Sequence, residues 1–262
     1  MNKVIIVTGG SRGIGASTVK LLAKDDNKII LNYNKSEEAA KKIQKELENE
    51  NIKIDIIKAD VSKKADVLAM ISYVIEKYHR IDVLINNAGI SQERLFTDIN
   101  DEEWNEIIDV NLNSVYYCTK AVIPYMLKQG GGSIVIASSV TGDIVADAGE
   151  AAYATTKAAL VGLTKCLAVE YAKRHIRVNC SQLGYARTPM VEKMAVESNP
   201  ENPEAAINDI AANVPMGRLA KPIEVGELFA FLGSDESSYL TGAQIVIDGG
   251  ATLPETMSIG TN

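Results

Sequence analysis

The strongest constraint on how this chain can fold is an alternation between two periodicities. Short runs rich in β-branched residues fall at Val4–Thr8, Lys28–Tyr33, Lys53–Lys58, Asp82–Asn86, Ser133–Ser138, Arg177–Ser181 and Gln244–Ile247. Longer stretches lie between them, such as Ser36–Asn49, Ser62–Tyr78 and Asp101–Leu127, with apolar residues at helical spacing. Strands that are apolar on both faces must be covered on both faces, and the intervening helices supply the cover. The pattern predicts parallel βαβ units in one doubly wound α/β sheet with helices on both faces. No linker-like tract or internal repeat divides the chain, so residues 1–262 are expected to form a single domain.

The first strand ends in Thr8-Gly9-Gly10-Ser11-Arg12-Gly13-Ile14-Gly15, where helix begins. Glycines let backbone N–H groups approach a diphosphate, and a helix N-terminus favours negative charge. The plain alternative is a tight strand-to-helix turn, but the strand–turn–helix context favours a dinucleotide. The second strand bears on which one. An acidic residue at its end would accept from the ribose hydroxyl of NAD and repel the phosphate of NADP. Here the strand ends Tyr33-Asn34-Lys35-Ser36, with no acid before Glu37. Arg12 and Lys35 supply positive charge, so NADP(H) is expected, with NAD(H) as the alternative. After the third strand, Asp60 and the Val61 amide suit an adenine edge, while Asp60 equally suits a cap near Ser62. Asn86-Asn87-Ala88-Gly89 and Ser138-Ser139-Val140-Thr141-Gly142 also end strands, on the side where parallel sheets bind ligands.

Tyr153 and Lys157, four residues apart on a predicted helix, share one face. A phenol ionises near pH 10, and a neighbouring ammonium lowers that value. By itself such a pair is an ordinary solvated helix face. Its helix is apolar nearly all round (Ala158, Ala159, Leu160, Val161, Leu163, Leu167, Val169), which predicts an outer face packed on another subunit. Asn100-Asp101-Glu102-Glu103 reads as a capped helix start, and Asn111 is an awkward polar residue inside that helix.

Composition narrows the partners. A net charge of −7 argues against a nucleic acid bound by charge. Cys118, Cys166 and Cys180 lie in apolar segments and suit reduced core thiols, and His79 and His175 lack neighbouring ligands, so no metal is assigned. Met1 to Val7 runs directly into a strand and no apolar run approaches membrane length, so a cytoplasmic protein without a membrane partner is expected.

Thr8-Gly9-x3-Gly13-x-Gly15, Asn86-Asn87-Ala88-Gly89, Asn111, Ser139 and Tyr153-x3-Lys157 resemble, in order and spacing, the short-chain dehydrogenase/reductase family. Arg218 to Gly250 resembles that family's C-terminal part. The resemblance implies a seven-stranded Rossmann-type domain, a homotetramer, and NAD(H) or NADP(H) without metal. It makes Tyr153 the general acid or base and Lys157 the group that lowers its pKa and grips the nicotinamide ribose. Ser139 rather than Ser138 would bind the substrate oxygen, since Ser-x-x-Gly matches at Ser139 to Gly142. Asn111 would hold a water linking Lys157 to solvent. Gly9, Ser11, Ile14, Asn34, Asn87, Ala88, Gly89, Gly184 and Thr188 would join the cofactor site, Thr188 at the carboxamide.

One departure stands out: Leu183 occupies the place of the family's usual Pro, which predicts a looser turn on the nicotinamide side. The segment 189–215 is the expected mobile substrate lid. Residues up to about Ser138 resemble bacterial 3-oxoacyl-carrier-protein reductases. Residues Val140 to Ile259, with Ser198-Asn199-Pro200-Glu201 and Leu253-Pro254-Glu255-Thr256, resemble bacterial oxidoreductases of poorly defined substrate. The leading expectation is ketone–alcohol interconversion on a small free molecule. Reduction of carrier-tethered 3-oxoacyl groups comes second, weakened by the neutral Gln129-Gly130-Gly131-Gly132 where a basic docking patch would be useful. A dinucleotide-sensing scaffold without catalysis is third.

Overall fold

The computed structural model describes residues 3–254. Glu255, Thr256 and Ile259, part of the C-terminal resemblance, lie outside the described residues. All seven expected strands form: β1 (Val4–Val7), β2 (Lys28–Tyr33), β3 (Asp55–Lys58), β4 (Val83–Asn86), β5 (Gly132–Ser139), β6 (Ile176–Leu183) and β7 (Gln244–Ile247). They make one parallel sheet in the order β3-β2-β1-β4-β5-β6-β7.

Each strand feeds two cores, because successive residues face opposite sides. Ile6, Ile30, Leu84, Ile134, Ile136 and Val178 pack under α3 (Lys64–Tyr78), α5 (Ser114–Gln129) and α6 (Ala151–Tyr171). Ile5, Val7, Ile29, Leu31, Ile85 and Val135 pack under α1 (Gly13–Ala23), α2 (Glu37–Asn49) and α9 (Pro222–Gly233). The expected double winding is therefore present. The strand order reverses between β1 and β4, so the turns after these two strands flank a crevice at one end of the sheet.

The expected helix Asp101–Leu127 is not continuous. It starts as foreseen, with a reciprocal cap in which Glu103 N donates to Asn100 Oδ1 at 2.8 Å. It then runs as α4 (Asp101–Ile108), passes through a π-helical turn at Asp109–Asn113, and resumes as α5. Asn111 sits in that turn. Periodicity cannot reveal a π turn, since one wider turn leaves the helical pattern on either side intact.

The segment 189–215 is helical rather than irregular. It holds α7 (Pro189–Ser198) and α8 (Pro203–Ala212), each with Pro in its first turn and a side chain capping it, Thr188 and Asn202 respectively. Val191, Ala195, Ile207 and Leu219 give the pair a small core separate from the two main ones. Arg187 ties them together, meeting Glu204 bidentately at 3.0 and 2.8 Å and Glu192 at 3.7 Å. The cysteine reading needs correction at one position: Cys118 and Cys180 are buried, whereas Cys166 lies on the exposed side of α6. Both histidines take left-handed backbone at helix C-termini, with φ of 60° at His79 and 58° at His175.

Candidate active site

The glycine turn after β1 is held from three sides. Gly9 has φ +62° and Gly13 φ +53°, conformations that favour glycine. A Cβ on Gly15 would stand 2.4 Å from Gly9 O and 2.6 Å from Asn87 Nδ2, so the start of α1 can approach the turn only without a side chain. Thr8 Oγ1 accepts from the amides of Asn87 (3.0 Å) and Ala88 (3.1 Å), and Asn87 Nδ2 donates to Thr8 O and Gly9 O. Asn32, buried at the end of β2, accepts from Gly9 N at 3.3 Å and donates to Ala59 O at 3.0 Å. Sequence reasoning missed this bracing role, which joins β1, β2 and the turn after β3. A polar residue inside an apolar strand was the available signal.

No side chain caps α1: Arg12 occupies the cap position with extended backbone, its carbonyl accepts from Ala16 N at 3.1 Å, and its side chain makes no bond to the helix amides. The turn thus offers open backbone donors where an anion is favoured. Arg12, Asn34 and Lys35 are exposed. The bond from Gly10 N to Asn32 O, 2.8 Å, places Arg12 and the β2 terminus at one rim. The first acid after β2, Glu37, pairs with Lys41 at 2.7 Å, and that bond holds its carboxyl below the usual range. Asp60 accepts from Ser62 N (3.0 Å) and Ser62 Oγ (2.7 Å), which closes the turn before α3; it does not cap the helix as foreseen, since Lys63 holds the cap position with no side-chain bond. Burial works against its ionised form, but the bonds from Ser62 and Asn34 prevail and keep its pKa below normal. Val61 is buried beside it.

Across the crevice, Ser139, Tyr153 and Lys157 line one cleft with Asn87, Gly89, Gly184, Thr188 and Ile14. Tyr153 is half-buried and Lys157 only 6 % exposed. The ammonium of Lys157 donates to Ala137 O at 2.8 Å and lies 5.4 Å from the centre of the Tyr153 ring. Burial lowers the Lys157 pKa to about 8. Burial raises Tyr153 to about 12; Glu150 and Tyr185 push the same way, and only the bond to Ser139 opposes them. The expected lowering of Tyr153 by Lys157 is therefore not realised in this arrangement, because desolvation of the phenolate outweighs an ammonium already engaged by a carbonyl.

Ser138 and Ser139 separate cleanly. Ser138 Oγ donates to Lys157 O at 2.8 Å and is committed to the α6 backbone, whereas Ser139 is the hydroxyl beside Tyr153. Asn111, 1 % exposed, accepts from Ile90 N at 2.8 Å and donates to Ile90 O at 2.9 Å. Its side chain thus clamps the chain just past Gly89, rather than being free to hold a water as expected. Leu183 does not loosen its turn. It is the last residue of β6, and its carbonyl accepts from Val140 N (3.0 Å) and Ser139 Oγ (3.3 Å). Gly184 follows, and a Cβ there would lie 2.7 Å from Asp248 Cα. The Thr188 methyl is 3.3 Å from where a Cβ on Gly13 would be, so α7 starts directly across from the glycine turn. Ser11 is buried within that turn. The structure thus brings most of the expected site residues to one crevice; Arg12, Asn34 and Lys35 stand at its rim. A larger groove of about 570 Å³, lined by Leu68, Tyr116, Pro124 and Tyr125, holds none of them.

Comparison with known proteins agrees with this geometry. Residues 9–252 match the family model described as Enoyl-(Acyl carrier protein) reductase. The chain is 51% identical to oxidoreductase UcpA of Escherichia coli K12 over 259 residues, 98% of this chain and 97% of that one. It is 41% identical to the 3-oxoacyl-[acyl-carrier-protein] reductase FabG of Thermotoga maritima, across 96% of this chain and 98% of the relative. Among solved structures, ligand-free aldohexose dehydrogenase of Thermoplasma acidophilum superposes with a TM-score of 0.88 at 35% identity, covering 99% of this chain and 98% of that one. Among the described residues, no helix is long and apolar enough to cross a membrane. The chain belongs to the short-chain dehydrogenase/reductase family of NAD(P)-using enzymes, and it is an oxidoreductase acting on CH–OH groups.

Proposed function

We propose that this protein interconverts a ketone or aldehyde and an alcohol on a small free molecule, with NADP(H) as its dinucleotide. The observation that carries the reading is the convergence of Ser139, Tyr153 and Lys157 on a cleft shared with the glycine turn and Thr188. The residues present fit a dinucleotide: the turn admits no side chain at Gly15, and the first turn of α1 has uncapped donors. Thr8 to Gly15 would hold the diphosphate, Asp60 and Val61 the adenine, Asn87 to Gly89 and Lys157 the nicotinamide ribose, and Gly184 and Thr188 the carboxamide. When bound, the dinucleotide supplies or accepts the hydride.

The chain's own residues handle the oxygen and its proton. Tyr153 Oη, a phenol throughout the neutral range, gives its proton to the carbonyl oxygen as charge builds there. Ser139 Oγ, whose one proton rests on Leu183 O at 3.3 Å, turns to donate to the same oxygen and stabilises that charge. Lys157, with one donor engaged by Ala137, has two for ribose hydroxyls. Asn111 positions the strand-end turn by holding Ile90. A water serving Lys157 would be held by the opened main chain of the π turn.

Arg12 and Lys35 at the rim, with Glu37 already paired to Lys41, support NADP(H) over NAD(H). The segment 189–215 acts as the substrate lid of a single domain, and the protein works as a cytoplasmic homotetramer. The relationship to FabG favours carrier-linked 3-oxoacyl groups as a second reading. Against it, Gln129 is engaged internally with Ile81 N and O rather than exposed for docking.

One set of measurements tests the proposal. Fluorescence titration should show tighter binding of NADPH than NADH; equal or reversed affinities would remove the Arg12 and Lys35 argument. Tyr153→Phe should bind NADPH normally and lose turnover by about a hundredfold or more. Robust activity on carrier-linked thioesters alone would reverse the ranking of substrates.

A further inference from the structure

Two ionisable side chains with opposite charges, Lys157 and Glu150, line the cleft around Tyr153. The Lys157 ammonium is tied to Ala137 O. Glu150 stands at the cap position of α6, yet its side chain makes no bond to the helix, and the nearby Thr141 hydroxyl favours its ionised form. The carboxylate keeps acceptor positions for a ligand. Exposed Asp147 and Glu93 add negative charge next to it. Arg94, next to Glu93 in sequence, pairs with Glu103 at 3.4 Å while its backbone N donates to Gly149 O. Ile14, Met190, Val191 and Met194 make part of the wall apolar, and Ser91, Tyr185 and Thr188 add neutral polar groups. Glu150 is therefore the one carboxylate in the cleft lining, half-buried and close to the reacting hydroxyls.

A carboxylate accepts hydrogen bonds and donates none. A substrate that covers Glu150 without a donor leaves it desolvated and unpaired, and one carrying an anion meets like charge. We infer that Glu150 is a specificity-determining residue that accepts a hydrogen bond from a second substrate hydroxyl, so that the enzyme takes uncharged vicinal diols and hydroxyketones and excludes carboxylate-bearing substrates. The inference rests on the assignment of Tyr153 and Ser139 to the reacting oxygen. It adds a substrate class to that assignment, and it places an acyl chain on an acidic carrier at a disadvantage.

The test is alcohol oxidation by the full chain with NADP⁺ on three matched probes: 2-butanol, 2,3-butanediol and 3-hydroxybutyrate. Wild-type protein should show its highest kcat/KM on the diol. Glu150→Gln, nearly isosteric, should reduce the preference for diol over hydroxybutyrate by about tenfold, mainly through KM. Glu150→Asp, which keeps the charge, should still discriminate against hydroxybutyrate. Thermal melts of both variants verify folding. An unchanged ratio in Glu150→Gln, a wild-type preference for hydroxybutyrate, or no turnover of any probe overturns the inference. If the ratio is unchanged while Tyr153→Phe is inactive on all three, the hydride-transfer assignment stands and only the role of Glu150 falls. Turnover surviving in Tyr153→Phe removes both.

Discussion

Burial holds Tyr153 as a phenol, with its pKa near 12, and pushes Lys157 the other way, to about 8. Both shifts favour the neutral form, as desolvation requires. For Lys157 the consequence for stability has a definite sign. Its folded pKa lies below its ordinary 10.5, so between about 8 and 10.5 the unfolded chain binds more protons and stability rises with pH. Below that window the full penalty applies, on the order of 3 kcal/mol before the bond to Ala137 O is counted. Lys157→Met should accordingly abolish turnover and yet raise the unfolding midpoint at pH 7, by an amount that shrinks as pH approaches 10. Differential scanning calorimetry across that range checks it. A midpoint that falls at neutral pH would mean that the hydrogen bond outweighs desolvation. A buried, destabilising lysine retained at a cleft is what a functional demand looks like in free-energy terms.

The elements that build the site are shaped by close approach rather than by side-chain number. α1 reaches the end of β1 because Gly15 lacks a Cβ, and Gly184 lets β6 turn against Asp248 for the same reason. Gly15→Ala must displace Gly9 O or the Asn87 amide, and overpacking of this kind costs roughly 1–3 kcal/mol. The expected result is a protein that folds with a lower midpoint and loses most of its NADPH affinity, read by melting and titration. Unchanged affinity would show that the turn tolerates displacement. The π turn between α4 and α5 works differently. Widening one turn brings Asn111 into line with both polar atoms of Ile90, so an intrinsically poor helix residue becomes the clamp for the loop after β4.

For the whole molecule, α6 is the element that bears on assembly. Leu160, Val161 and Ala168 are buried in the sheet-side core, while Val169 remains 82 % exposed and Cys166 lies on the uncovered side. Gly162, Lys165 and Glu170 share that exposed side, and a small apolar patch among them suits a neighbouring subunit. Val169→Asp should shift the protein to a smaller species in sedimentation velocity without changing its secondary structure. A variant that sediments like wild type would place the interface elsewhere.

The sequence carried the strands, the glycine turn and the Asn100 cap, since each rests on local pattern or on turn chemistry a few residues long. It missed Asn32, the π turn, the small third core of α7 and α8, and the internal engagement of Gln129. Each of these depends on partners distant along the chain or on a single altered turn.

Local chemistry thus determined which elements form and which residue types stand at the strand ends, because hydrophobic period, β-branching and glycine conformation act over a few neighbours. Tertiary structure alone decided the electrostatics: that Lys157 faces a carbonyl, that Tyr153 is held protonated, and that Glu150 lines the same cleft as Lys157. The reason is that desolvation and Coulomb energies depend on what surrounds a group in three dimensions, and a lysine four residues from a tyrosine reads the same in sequence whether it is wet or buried.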